Sequence, residues 1–353
     1  YVIFIEGGGS CQDEATCKQW AKEKGSSSDF QRTSTGDHSG VAVSNCTTNP
    51  YFCNATAAVV PYCTADGHRG NNAVASADTW GWIFDGHLNF VAIVEELVKT
   101  RGLGDAKRIL LTGSSAGGIG TFANLDWLVD RFPGVDIKAA PQAGWFFPAA
   151  LPGDLDDIYP PSDFPHFYAG THGNAQTVPG APQAGLARLK VTADDLNADC
   201  VAAQKPEEWW ACVSAHKLYP HLKAPIYIIE NMYDTNQIYS SDGKVPKAPA
   251  NDSEAAAVQR YVGMYGGAMR NSTAQLLLHD NGKRVRDGLF LPSCFDHPVD
   301  FPVTITPAGA GPQSWQLLLG DWFFERNDFQ QFHRLVESCP TDMPCNPLPT
   351  CRF

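Results

Sequence analysis

The chain has no apolar run approaching the ~20 residues that a bilayer-spanning helix needs, so the sequence predicts no membrane span. Basic residues are scarce: 26 Lys and Arg stand against 38 Asp and Glu, a formal net charge of −12. Nucleic acids and anionic membrane surfaces are held through a basic footprint, so neither is expected as the main partner. An acidic polysaccharide stays open, since a local patch can differ from the average. No cysteine pair has the CxxC spacing of a zinc site, and His68 and His87 lack metal-ligand spacing to Cys or Asp. The glycine-rich segment near the start is not followed by a helix carrying G-x-G-x-x-G, so no dinucleotide motif is read there. No metal and no cofactor are expected. Internal repeats, low-complexity tracts and a signal peptide are also missing. The chain opens directly on Tyr1-Val-Ile-Phe-Ile5, which reads as a strand, so a leader and some preceding structure are expected outside this numbering.

What is present is ordinary globular material: 353 residues, 43% hydrophobic and 18% charged, enough for a single α/β domain over residues 1–353. Eleven cysteines are many for a cytosolic protein of this length. Several lie close together: Cys11/Cys17, Cys46/Cys53, Cys200/Cys212 and Cys339/Cys345/Cys351. Disulfides are the better reading, with connectivity open and an odd cysteine left over. Four glycosylation sequons begin at Asn45, Asn54, Asn251 and Asn271. Cysteines and sequons together predict a secreted, extracellular protein, expected to act as a monomer.

Short buried strands are read at Val2–Ile5, Ala57–Pro61, Arg108–Thr112 and Pro225–Glu230, with one more at Ala274–Leu278. Helical spacing marks Phe90–Val98, Ile119–Phe132 and Ala255–Gly266. Residues 25–56 read as surface loop, 148–222 as a lid or insertion that is irregular over 148–190, and 336–353 as a cysteine-rich tail stapled to the body. Strands alternating with helices predict an α/β fold with a mostly parallel central sheet covered on both faces.

Gly113-Ser114-Ser115-Ala116-Gly117 fits G-x-S-x-G, and a strand enters it while a helix leaves it. That setting is a nucleophile elbow: the sharp turn lifts the Ser115 hydroxyl above the sheet, and glycines let the backbones pack closely. A serine hydroxyl needs a base, and the base needs an orienting carboxylate, in the chain order Ser, Asp, His. Asp234 sits just beyond the strand Pro225–Glu230 and fits the acid. Three histidines follow it. His279 ends an apolar run and His333 lies in an amphipathic helix, whereas His297 lies on a loop tethered by Cys294 and Pro298 and is preferred. Oxyanion donors are expected from the Ala116 amide and from Gly8 and Gly9, in the triple glycine that follows the first strand. The tryptophans Trp80, Trp82, Trp145, Trp209 and Trp210 read as core first, with a sugar- or acyl-lining role as the alternative.

Five segments carry a resemblance: Phe4–Cys11, Val60–Cys63, Leu111–Gly118, Pro225–Gln237 and Pro292–His297. Through them the chain resembles the pectin acetylesterase and Notum carboxylesterase family over nearly its whole length. The ending, Gly320-Asp-Trp-Phe-Phe324 and the cysteines after it, is similar to plant pectin acetylesterases; Leu111–Gly118 and Cys212–Pro220 look closer to Notum. The resemblance implies an α/β-hydrolase fold, no metal or cofactor, a triad on Ser115, Asp234 and His297, and oxyanion amides on Gly8, Gly9 and Ala116. It draws Trp145, Phe146 and Gln237 toward the substrate. The chain departs from the family at Gly9-Ser10, where an aromatic is usual, and at Gln142-Ala-Gly-Trp-Phe146, where the family usually begins with Asp. Both departures lie near the expected acyl pocket and bear on the substrate rather than on hydrolysis. The expected substrate is an acetyl ester on a cell-wall polysaccharide such as pectin. The rivals are removal of a longer acyl chain from a lipidated protein and an inactive glycan-binding relative.

Overall fold

A computed structural model describes residues 1–11, 13–24, 40–147, 181–242, 247–277, 284–326 and 329–353. Nine strands are assigned there: β1 Val2–Ile5, β2 Ala57–Val60, β3 Arg108–Ser114, β4 Asp136–Gln142, β5 Tyr227–Ile229, β6 Gly288–Leu291, β7 Thr304–Ile305, β8 Gln313–Ser314 and β9 Arg334–Val336. The helices are α1 Glu14–Lys24, α2 Gly86–Arg101, α3 Ala116–Arg131, α4 Ala181–Arg188, α5 Ala198–Ala202, α6 Ala215–Leu218, α7 Asp252–Thr273, α8 Trp315–Phe324 and α9 Phe329–Phe332. Seven strands form one sheet in the order β2-β1-β3-β4-β5-β6-β9, and every pairing in it is parallel. β7 and β8 make a separate antiparallel pair.

Successive side chains of a strand point to opposite faces, so a sheet covered twice needs apolar residues at both parities. Ile3, Ile5, Ile109, Leu111, Ile226, Ile228, Leu289 and Leu291 pack on one face with Phe90 and Val94 of α2, Phe122 and Leu125 of α3, and Tyr261 and Met269 of α7. Val2, Leu110, Ala140, Tyr227, Ile229 and Phe290 pack on the other with Leu319, Trp322 and Phe323 of α8. This is why the strands read as continuous apolar runs rather than as alternating ones.

The strand order places β2 on one side of β1 and β3 on the other. The carboxyl ends of β1 and β3 therefore flank a topological switch point, where open α/β sheets bind their ligands. Gly7–Gly9 leaves one of these ends and Ser115 the other.

Three expectations change. The strand expected at Ala274–Leu278 is a 3₁₀ turn at Ala274–Leu276 that continues α7; Leu276 is buried, and a short apolar run does not by its periodicity distinguish a strand from a helix end. The strand after α7 is instead Gly288–Leu291, fully buried between β5 and β9. The amphipathic helix around His333 shortens to Phe329–Phe332, and the chain then enters edge strand β9. The described part of the expected lid, residues 181–222, is built of short helical turns. Residues 148–180, and His279, lie outside the described residues.

All eleven cysteines are described, and ten pair: Cys11–Cys17, Cys46–Cys53, Cys200–Cys212, Cys294–Cys351 and Cys339–Cys345, with Cys63 free. Four bonds are local. Cys294–Cys351 spans 57 residues and ties the tail to the loop that follows β6. Phe295 N also donates to Cys351 O at 3.0 Å, and Cys345 N to Ser293 O at 3.2 Å.

Closing a loop of that length withholds chain entropy from the unfolded state worth about 4 kcal/mol. The double substitution Cys294→Ala, Cys351→Ala is therefore expected to lower Tm by about 5 °C for a chain of this size. Calorimetry checks this; an unchanged Tm would show that the tail is held by its hydrogen bonds and packing alone.

Candidate active site

The site begins with a strained backbone. Ser115 follows β3 directly and has φ 59° and ψ −121°, a conformation that side-chain-bearing residues avoid at about 1–3 kcal/mol. The strain persists because the surroundings fix it: Ser115 N donates to Gln142 O at 2.9 Å, and Ser115 O accepts from Ile119 N at 3.0 Å as α3 begins. The flanking glycines are steric necessities. A Cβ on Gly117 would lie 2.0 Å from Ile5 O, and one on Gly113 would lie 2.5 Å from Gly117 O.

Asp234 and His297 come from neighbouring loops. Beyond β5 and β6 the two chains continue side by side: Glu230 N donates to Phe290 O, Met232 N to Pro292 O, Tyr233 N to Cys294 O and Thr235 N to Asp296 O, at 2.9–3.3 Å. Asn231 Nδ2 clamps the second loop by donating to Asp296 O and Pro298 O at 3.0 and 3.1 Å. Gln142 Nε2 holds its far side through Val299 O at 2.7 Å. His297 thus sits on a loop fixed from both flanks and by the Cys294–Cys351 bond.

The result is a linear chain of hydrogen bonds. His297 Nε2 lies 2.8 Å from Ser115 Oγ, and His297 Nδ1 lies 2.5 Å from Asp234 Oδ2. Asp234 is 2% exposed, and its Oδ1 accepts from Gln237 N at 2.8 Å. With Asp234 ionised, Nδ1 carries the ring proton and Nε2 is left to accept from the serine hydroxyl. Burial disfavours the His297 imidazolium, but the charge and hydrogen bond of Asp234, and then the charge of Asp296, outweigh it and raise the pKa above 6.5.

The glycine loop lies against Ser115. A Cβ on Gly7 would meet Ser114 O at 2.2 Å and Ser115 Cβ at 3.0 Å. Its carbonyls are tied back: Trp20 Nε1 donates to Gly8 O at 2.8 Å, Tyr62 Oη donates to Gly9 O at 2.8 Å, and His68 Nε2 lies 2.8 Å from Glu6 O. The Tyr62 and His68 rings stack with centroids 4.5 Å apart. Asp66 organises the segment below, accepting from the amides of His68, Gly70 and Gly86 and from the Thr64 hydroxyl at 2.7–3.1 Å.

The expected substrate contacts separate. Phe146 packs with Ile119, one helical turn beyond Ser115, and its ring centroid is 6.4 Å from that of His297. Trp145 is 1% exposed in the main core, and its indole donates to Ser272 Oγ at 2.9 Å. Gln237 is equally buried; its amide donates to Phe147 O and accepts from Tyr265 Oη. These two are placed to hold the site together from within the core. His333 is buried at the start of β9, with Nδ1 2.7 Å from Gln330 O, apart from the Ser115 cluster. Asn45, Asn54, Asn251 and Asn271 are all exposed, and Asn251 also caps α7 by accepting from Glu254 N at 2.9 Å.

Sequence reading assigned no positioning role to Tyr62, His68, Asn231, Gln142 or Glu230. The last is 1% exposed, and its Oε2 accepts from Trp145 N at 2.8 Å. Its position directly after a strand that points at the triad acid was the signal available for it. Among the described residues no group of three or more His, Cys, Asp and Glu could hold a metal ion, and no helix is long and apolar enough to cross a membrane.

The chain as a whole is similar to known proteins. The palmitoleoyl-protein carboxylesterase NOTUM of Homo sapiens is 24% identical over 371 residues, matching 100% of this chain and 67% of its own length. Pectin acetylesterase 5 of Arabidopsis thaliana is 26% identical over 361 residues, covering 98% of this chain and 76% of its own. The solved structure of the Wnt deacylase Notum from Drosophila superposes with a TM-score of 0.74 at 26% identity, covering 100% of this chain and 90% of that one. The chain thus spans about two thirds of the human relative. The family model for pectinacetylesterase matches residues 1–352. The chain belongs to the pectinacetylesterase family.

Proposed function

We propose that this chain is a secreted serine carboxylic-ester hydrolase that removes O-acetyl groups from a cell-wall polysaccharide such as pectin. The observation that carries the reading is the hydrogen-bonded run Asp234–His297–Ser115, assembled from three loops with 2.8 Å between base and nucleophile. The carboxylesterase and pectin acetylesterase names of the relatives support the reaction class. The family model and the plant-type ending support the acetyl substrate. Five disulfides and four exposed sequons support an oxidising, extracellular setting.

In the proposed reaction His297 Nε2 takes the Ser115 proton as Oγ attacks the ester carbonyl. Charge developing on the carbonyl oxygen is received by the amides of Gly8, Gly9 and Ala116, the last at the positive end of α3. The imidazolium, steadied by Asp234, passes its proton to the departing alcohol, and an acyl-enzyme remains on Ser115. Water then repeats the sequence, with His297 again as base, and releases the acid.

A second reading is favoured by the apolar Ile119–Phe146 contact beside His297, which suits a longer acyl chain. The palmitoleoyl-protein carboxylesterases among the relatives act in keeping with it by name.

Ser115→Ala is expected to lower kcat by ~10⁵–10⁶-fold while circular dichroism and Tm stay unchanged; near-normal turnover by that variant would remove the proposed mechanism. Protonated His297 cannot act as base, so activity falls as pH drops through its raised pKa. The acidic limb of kcat/KM is expected to have its midpoint above 6.5; a midpoint a unit or more lower would contradict the assignment of the base. A series of p-nitrophenyl esters is expected to peak at acetate. An optimum at octanoate would transfer the assignment to the long-chain reading.

A further inference from the structure

One buried acidic group beside the triad has no part in the mechanism above. Glu230 is the first residue after β5, four before Asp234, and is 1% exposed. Its Oε2 accepts from Trp145 N at 2.8 Å, and the Asn231 amide donates to the same carboxyl. Its Oε1 is buried and finds no donor. The carboxyl lies close enough to that of Asp234 for each to act on the other's protonation.

Two acidic groups in contact, sealed from water, cannot both be ionised without a cation between them. The neighbours supply none. The loop after β6 contributes His297, on Oδ2 of Asp234, and Asp296, which adds negative charge. The loop after β4 contributes the Trp145 amide. Behind it α7 contributes the Ser272 and Tyr265 hydroxyls, through Trp145 and Gln237. The Arg270 guanidinium of α7 pairs with Asp342. Among the described residues no lysine or arginine pairs with either carboxyl. Burial, and then the Asp234 charge, push Glu230 well above the usual carboxyl range.

The donors decide which carboxyl holds the proton. Asp234 faces the imidazole at 2.5 Å and accepts the Gln237 amide, so its charge is compensated on both oxygens. Glu230 has an oxygen with no donor at all. We propose that Glu230 is protonated in the working enzyme and donates that proton, in a hydrogen bond from Oε1, to the Asp234 carboxylate, acting as a positioning residue behind the triad. Three contacts then fix the carboxylate plane: Glu230 and Gln237 from behind and His297 in front. Because Glu230 also holds the Trp145 amide, it couples the backbone carrying Phe146 to the orientation of the base. This rests on the triad reading of the site.

The test has two arms. Glu230→Gln keeps the shape and a donor but cannot ionise. Titration of the His297 imidazole by NMR is expected to give a midpoint within about 0.3 unit of wild type, since no charge has been removed. A fall of about one unit or more would show that an anion had stood there, and would overturn the proposal. Glu230→Leu removes the donor and is expected to lower kcat about tenfold with KM little changed, with Glu230→Gln recovering most of the loss. Equal losses in the two variants would also overturn it. The titration needs no turnover, so it decides the protonation of Glu230 even if wild-type protein hydrolyses no ester; that last result would count against the triad reading alone.

Discussion

A 2.8 Å contact between Ser115 Oγ and His297 Nε2 joins residues 182 positions apart, and most of the fold serves to hold it. A hydroxyl and an imidazole left to solvent would not keep that geometry, because ordering each side chain costs entropy. The sheet meets the cost in advance. β3 delivers Ser115 in a conformation that Gly113 and Gly117 make sterically accessible, and β5 and β6 run side by side long enough for their loops to stay hydrogen-bonded to the level of Asp234 and His297. Gln142 links the two halves: its carbonyl takes the Ser115 amide and its side chain holds Val299, two residues after His297.

The elbow and the glycine loop beside it could be read from sequence because sterics leave few substitutes there. A Cβ at Gly117 would overlap Ile5 O at 2.0 Å, so the glycines are legible as requirements. Asp234 was legible from its place after an apolar strand, and His297 from the loop signals around it. Val2–Ile5 and Arg108–Thr112 stood out because strands buried on both faces are apolar at every position. Less was visible where length failed as a signal. Gly288–Leu291 is short and begins on a glycine, and Leu276 ends a helix with the same local composition as a strand. The supporting polar residues were silent for another reason. Asn231, Tyr62, His68 and Glu230 act through a few contacts with groups distant in sequence, and an isolated polar residue produces no periodicity.

The buried tryptophan and glutamine show how burial redistributes roles. Trp145 and Gln237 were expected at the substrate, yet both are 1% exposed and bonded to protein groups. They connect the triad acid and the loop after β4 to the packed face of α7. Phe146, between them in sequence order and packed on Ile119, is the residue of the three whose ring stands near the imidazole. The polar side chains are thus tied up inside the core, and the apolar Phe146–Ile119 contact is left beside His297.

The central claim is that one serine of this chain is activated as a nucleophile by a base brought to it through the fold. The most direct measurement is reaction with an activated fluorophosphonate followed by peptide mass mapping. The account expects a single stoichiometric adduct on the peptide containing Ser115, lost on prior denaturation and in His297→Ala. Absence of labelling in the native protein, or an adduct on another residue with Ser115 untouched, would contradict it.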